Sequence, residues 1–440
     1  MVDPHSRASV NVTLDEQLLP RLAACVGATT SLTAYRRVDL SRRELTPQDI
    51  SLVEQAIQAA VEDTAAELQL CRFRPQPSVL ISLVLRENAR LGDEGVAAVV
   101  DQLLLRTPLH LQGLSLAAVG AGDAGVARLA AALGDPSRRI SLLSLDLSNN
   151  LLGRGACVAL ANFLAAPAAN LTDLNLSQNP IADDGACELA RGLMSNISLE
   201  TLNLGYARIG TMGVRTFAAC VAMQTGLRQL SLTGNRLRAA DGALAAQLLL
   251  SSGVGLSHLN LSEMDIGPAT ANAIAAVLSR EQAWPTPPPD FASFSRVGQT
   301  LLDAPNASQY PPQGLALKHL RLERVMLGDG SALARALRSP YCQLEKLWLS
   351  GNGLQDDTAY ALATSICCSV CQLLLLHLAN NRFRAIGLLT LLDSVHSGSK
   401  LEDLFIGGNL LSSEECDKLS ERARLKGPLP RLHTATMLQN

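Results

Sequence analysis

The chain has 440 residues, 48% of them apolar but only 3% aromatic, and a net charge of −3. That balance predicts an aliphatic core and excludes the extended basic field needed to hold nucleic acid or an anionic lipid surface. No apolar run of about 18 residues is present, so no membrane insertion is expected. The opening stretch MVDPHSRASVNVTLDEQ lacks an apolar h-region, and a cytoplasmic protein is expected.

One leucine spacing, L-x-x-L-x-L-x-x-N-x-L, recurs twelve times along the chain. Residues 1–31 precede it as an N-terminal extension. A degenerate first copy starts near Tyr35, and 32–79 reads as a capping repeat. There Thr46-Pro47 offers a helix start, and 48–70 reads as one long helix shielding the end of the core. Copies then start at Leu80, Leu111, Leu142, Leu171, Leu199, Leu227 and Leu256, which places repeats over 80–280. After an interruption at 281–316, copies at Leu317, Leu344, Leu373 and Leu401 extend over 317–415, and 416–440 reads as a C-terminal tail.

Most steps are 27 to 31 residues, room for a strand plus an α-helix. The alternating L-x-L is a short strand with its leucines inward. Behind it, Gly95 leads Val96, Val99, Val100 and Leu103, and Gly185 leads Ala186, Leu189, Ala190 and Leu193. Each set is one stripe of an amphipathic helix. An asparagine column (Asn88, Asn150, Asn179, Asn235, Asn352, Asn381, Asn409) is expected to satisfy backbone groups where the strand turns away. Arg43, Val119, Ala207, Met264 and Val325 interrupt it, so those turns should be looser or differently satisfied. The predicted fold is an α/β solenoid of about 12 repeats, a horseshoe with a parallel concave sheet and helices outside.

The period, the glycine placement, the asparagine column and the L-G-D-E-G form at Leu91 to Gly95 resemble the ribonuclease-inhibitor-like class of leucine-rich repeats, over roughly residues 32–415. The resemblance implies a binding protein of the kind seen in ribonuclease inhibitors, nucleotide-binding sensors, Ran GTPase-activating proteins and axonemal subunits. It identifies architecture far more sharply than function, which has to be argued from a site.

Two departures from regularity suggest where such a site lies. The step from Leu256 to Leu317 is 61 residues, and its excess carries Trp284, Phe291, Phe294 and Tyr310, four of the chain's fourteen Trp, Tyr and Phe residues. Disordered linkers are poor in aromatics, so this proline-rich insertion is expected to dock, either on its own solenoid or on a partner. The second departure is the column between the paired leucines. It reads Asp39, Val84, Ser115, Asp146, Asn175, Asn203, Ser231 and Asn260, then turns large: Arg321, Trp348, His377 and Phe405. Aromatic and arginine side chains dominate interface hot spots. An exposed Trp348 among Arg321, Lys346, His377 and Phe405 is therefore the expected partner patch.

Motifs for chemistry are missing. The sequence has no phosphate loop, nucleophile elbow or H-E-x-x-H. Cys367, Cys368 and Cys371 lack the fourth ligand that structural zinc needs, so packed thiols are expected. Asp183-Asp184 and Asp356-Asp357 fall where acids favour a helix N-terminus. No cofactor and no catalysis are expected. The expectation is a scaffold that docks protein partners on its concave face and insertion, as a subunit of a hetero-complex. The resemblance extends this to a ciliary axonemal or cytoskeletal assembly. The alternatives are an inhibitor or sensor-type module, and a Ran-type GTPase activator acting through Arg43 and Arg86.

Overall fold

The structure, a computed structural model, describes residues 37–58, 82–106, 111–138, 140–167, 169–221, 226–237, 242–243, 246, 255–279, 316–395, 399–426 and 430–434. The chain divides into two compact units, Met1–Ile181 and Ala182–Asn440. The first holds five three-residue strands in chain order: β1 Arg37–Asp39, β2 Ser82–Val84, β3 Gly113–Ser115, β4 Ser144–Asp146 and β5 Asp173–Asn175. They pair parallel and in register, so Val38, Leu83, Leu114, Leu145 and Leu174 form one buried row.

The second unit repeats the pattern with β6 Thr201–Asn203, β7 Gln229–Ser231, β8 His258–Asn260, β9 His319–Arg321, β10 Lys346–Trp348, β11 Leu375–His377, β12 Asp403–Phe405 and β13 Arg431–His433. Its buried row runs Leu202, Leu230, Leu259, Leu320, Leu347, Leu376 and Leu404. Because side chains alternate along a strand, burying each middle leucine turns its two flanking residues to the open face.

The glycine-led segments are helical. In the first unit they are Gly92–Ala98, which runs into a π-helical turn at Val99–Leu104, then Asp123–Leu133 and Arg154–Leu164. In the second they include Ala182–Leu193, Thr211–Val221, Gly267–Ser279, Ser331–Ala336, Asp356–Ile366 and Ala385–Ser394. The predicted stripes are the buried ones, as at Val126, Leu129, Ala130 and Leu133, or Ala186, Leu189, Ala190 and Leu193. Each fully buried leucine contributes about 1.5–3 kcal/mol. Strands on one side and helices on the other make each unit a leucine-rich repeat solenoid.

Two polar ladders lock neighbouring copies together, and they point in opposite directions. Each column asparagine serves its own copy and the one before it. The Asn150 amide donates to the Leu147 carbonyl at 3.0 Å and the Leu116 carbonyl at 2.8 Å, while its Oδ1 accepts from the backbone of Val119 and Ala121. Asn88, Asn179, Asn235, Asn381 and Asn409 repeat this arrangement. The interrupted turns at Arg43, Val119, Ala207 and Val325 are therefore satisfied from outside, by the next copy's asparagine.

The second ladder reaches forward. Aspartates in one helix's first turn accept the opening N–H groups of the next: Asp93 from Gly122 and Gly125, Asp123 from Gly153 and Gly155, Asp183 from Gly210 and Gly213. The glycine is a consequence of that reach. A Cβ on Gly213 would sit 2.7 Å from Asp183 Oδ1 and 2.6 Å from Ile209.

The ends differ from the interior. Thr46 donates its backbone N–H to Asp49 at 2.7 Å ahead of the helix at 49–58. Ser412 and Glu415 cap the helix Ser413–Lys426 reciprocally, at 2.8 and 3.3 Å. The second is a capping box, and in the first the Asp49 carboxylate accepts both the N–H and the hydroxyl of Thr46; each is made within one copy. The helix expected over 48–70 is described only over 49–58, and the extension at 1–31 lies outside the described residues.

The segment read as a C-terminal tail carries most of Ser413–Lys426 and then β13, which pairs with β12. The register thus reaches one copy beyond the twelve read from the sequence. Its leucine spacing holds at Leu429 and Leu432 but fails at Thr434, where the third leucine is due, which hides the copy in the sequence. At the long step, β8 pairs directly with β9, Leu259 opposite Leu320, so the excess adds no strand between them. Trp284, Phe291, Phe294 and Tyr310 lie outside the described residues.

Candidate functional site

The column between the paired leucines has two characters. Through β8 its side chains mostly cap their own strand ends. Asp39 Oδ1 accepts from Ser41 N, Asp146 from Ser148 N, Asn175 from Ser177 N, Asn203 from Gly205 N and Asn260 from Ser262 N, all at 3.0–3.1 Å. These are Asx-turns, which Asp and Asn make readily because their carbonyl oxygen sits one carbon from the backbone. The small polar run is therefore a structural necessity of the turn.

From β9 onward Arg321, Trp348, His377, Phe405 and His433 occupy the column and cannot close that turn, so their rings and guanidinium meet one another instead. The Arg321 guanidinium lies over the Trp348 ring, 4.3 Å from its centroid, a cation–π contact. His319 meets Trp348 edge-on at 6.0 Å and His258 at 3.9 Å. Further along, Phe405 is sandwiched between His377 at 4.7 Å and His433 at 4.0 Å, with both ring pairs stacked.

Phe405 corrects one expectation. It is buried, only 8% exposed, because the thirteenth strand brings His433 across its ring. Phe405 is thus part of the packing. Trp348, Lys346 and His377 remain half-exposed, and Arg321 is exposed. Sequence reasoning missed His433; His258 and His319, which adjoin the column in the sequence, prove to contact each other. The signal was the register itself, which sets His258, His319 and Lys346 side by side on β8, β9 and β10.

The electrostatics follow the packing. Burial pushes the His319 imidazole down to about 4, and repulsion from His258 and Lys346 adds to this. His258 is lowered by burial and then by Lys346, and His377 by burial and then by Arg321. The nearest acids are mostly engaged. Glu345 holds Lys318 at 2.7 Å, and Asp403 takes Arg431 at 2.6 Å and His433 at 3.0 Å. Glu323 is buried and stands 4.0 Å from Arg321. Lys346 makes no ion pair among the described residues.

The remaining candidates have structural roles. Asp183, Asp184, Asp356 and Asp357 lie in helix first turns. Among the described residues, no group of three or more His, Cys, Asp or Glu could hold a metal ion. Cys367 is exposed while Cys342 and Cys371 are buried, and burial raises the Cys342 thiol to about 11, which makes it a poor nucleophile or ligand. Arg86 is tied to Glu87 at 2.9 Å, and the Arg43 backbone is held by Asn88. No described helix is long and apolar enough to cross a membrane.

Comparisons with known proteins agree with this geometry. A Leucine Rich repeat family model matches residues 168–190 and 195–218. The ribonuclease inhibitor of Sus scrofa is 29% identical over 387 residues, covering 79% of this chain and 75% of its own length. That of Mus musculus is 29% identical over 277 residues, 62% of this chain and 52% of the relative. NACHT, LRR and PYD domains-containing protein 12 of Mus musculus is 29% identical over 350 residues, 78% of this chain but 27% of the relative. The chain therefore spans three quarters, about half and about a quarter of these relatives in turn.

Proposed function

We propose that this chain, a leucine-rich repeat protein of the ribonuclease-inhibitor-like type, is a non-catalytic docking module whose open face from β8 to β11 receives a protein partner. One observation carries this reading. The column residues of the first unit are largely consumed in capping their own turns, whereas Arg321 and Trp348 serve no turn and stand at the surface. Arginine and tryptophan concentrate binding energy when desolvated. An open face of short strands also suits a protein better than a small molecule, which prefers an enclosed pocket.

Of the finer readings, an inhibitor-type module is the one the relatives' names favour, since two are named as ribonuclease inhibitors; a cytoplasmic setting and a sensor-type role belong to the proposal alone. A place in a ciliary axonemal or cytoskeletal assembly rests on family resemblance alone. The GTPase-activator alternative loses support from the engagement of Arg86 with Glu87. The insertion with Trp284, Phe291, Phe294 and Tyr310 stays in the proposal as a second contact for the same partner.

The test is capture of native partners by the full chain, followed by crosslinking mass spectrometry. Crosslinks should map to β8–β11, and Trp348→Ala should reduce capture about tenfold with the melt unchanged. Crosslinks confined to the helices, or capture indifferent to Trp348, would overturn the reading.

A further inference from the structure

The docking face has a chemistry of its own. His319 and Arg321 flank Leu320 on β9, and Lys346 and Trp348 flank Leu347 on β10, so the four side chains occupy the corners of one rectangle. Its sides are about 4.8 Å across the strands and about 6.6 Å along them. His258 extends it on β8, and Leu375 and His377 on β11.

Positive charge gathers here in a chain whose net charge is −3. After burial, Lys346 and Arg321 both act to lower His258 and His319, while Glu345 acts against them. Lys346 has no ion-pair partner among the described residues, and Arg321 stands 4.0 Å from its nearest carboxylate. Glu323 is buried and Glu345 is held by Lys318, so they offset these cations only in part, and an incoming anion adds the missing counter-charge. The guanidinium uses its flat face on the indole at 4.3 Å, a pose that leaves its N–H edge available for a bidentate carboxylate.

We propose that this rectangle on β9 and β10 seats an acidic segment of the partner protein, with a carboxylate between Arg321, Lys346 and His319 and an apolar neighbour against Trp348. The proposal rests on the docking reading and adds the partner's chemistry to it. Two charge features favour an acidic peptide over nucleic acid. On the patch only Lys346 is without an ion pair among the described residues, and Arg321 has one long pair, to Glu323 at 4.0 Å, whereas a nucleic-acid track neutralises several phosphates. In addition, Glu323 and Glu345 border it and would repel a continuous polyanion.

The test uses the full chain and a fluorescein-labelled twelve-residue peptide alternating Glu and Leu, against the same peptide with Gln for Glu, read by anisotropy. The Glu peptide should bind and the Gln peptide should bind at least tenfold more weakly, with affinity falling as salt rises. Arg321→Glu with Lys346→Glu should abolish binding, whereas Lys346→Arg, which keeps the charge and leaves Arg321 on Trp348, should keep most of it; circular dichroism monitors folding of both.

Equal binding of the two peptides, no binding of either, or binding unaffected by charge reversal would overturn the proposal. So would an oligo-dT twelve-mer that binds more tightly through the same two residues. The docking reading fails separately. If Trp348→Ala abolishes native capture while charge reversal leaves it intact, the face docks a partner that is not acidic there.

Discussion

The open faces of the two units are built on the same strands but use their side chains differently. In Met1–Ile181 the column runs Asp39, Val84, Ser115, Asp146 and Asn175, and its acids and amide turn back to hold serines two residues on. In Ala182–Asn440 the column loses that habit after Asn260, and Arg321, Trp348, His377, Phe405 and His433 make ring contacts across strands. A side chain engaged by its own turn has little to offer a partner. One released from the turn either packs, as Phe405 does, or waits at the surface, as Arg321 does. The proposed docking face lies in the second unit on the strength of this contrast.

The comparison can be broken in several places, and the largest effects test what the units share. Asn150→Ala in the first unit and Asn381→Ala in the second each leave buried carbonyls and amides of two copies unpartnered. Each should cost about 3 kcal/mol in chemical denaturation, and a strong inequality would show that the ladders are not equivalent.

Gly234→Ala probes a feature of the second unit alone. Its φ is +65°, and an added Cβ would lie 2.3 Å from the Tyr206 ring, which reaches over it to Glu263. A loss of about 1–3 kcal/mol is expected. Asp146→Ala should cost about 1 kcal/mol through its lost turn and leave partner capture unchanged. Loss of capture would move the docking face into the first unit.

The smallest effect concerns pH. His258, His319 and His377 are held below their ordinary value chiefly by burial, and the first unit has no histidine among its described residues. A histidine whose folded value is depressed protonates first in the unfolded chain. Its contribution to stability is therefore full above about pH 6.5 and is lost as the pH falls toward about 4. The melting temperature should decline over that window, and His319→Gln should flatten the decline. A melting temperature rising on acidification would contradict these burials.

Much of this was legible from residue spacing. The leucine register, the helix stripes and the asparagine column all rest on side-chain periodicity, which a sequence displays directly. Phe405 reads as exposed because its cover, His433, belongs to a copy whose leucine spacing fails at Thr434. The sequence shows Asp183 only as a helix-start preference and gives no sign of the forward reach of Asp93, Asp123 or Asp183, because their partners are backbone N–H groups a full repeat away. The Asx-turn use of Asp146 or Asn175 was hidden for a similar reason. The same oxygen could equally have faced a partner, and only geometry separates the two roles.

The opposed ladders carry a consequence for any shortened version of this protein. At strand ends the later copy completes the earlier, and at helix starts the earlier completes the later, so a cut between interior copies strips hydrogen-bond partners from both fragments at once. Two local pairs, Thr46 with Asp49 and Ser412 with Glu415, supply the outermost helix starts from within their own copies, although the first copy still takes its strand-end partner from Asn88. Trimmed variants should therefore tolerate new termini only where such a pair is rebuilt at the fresh edge.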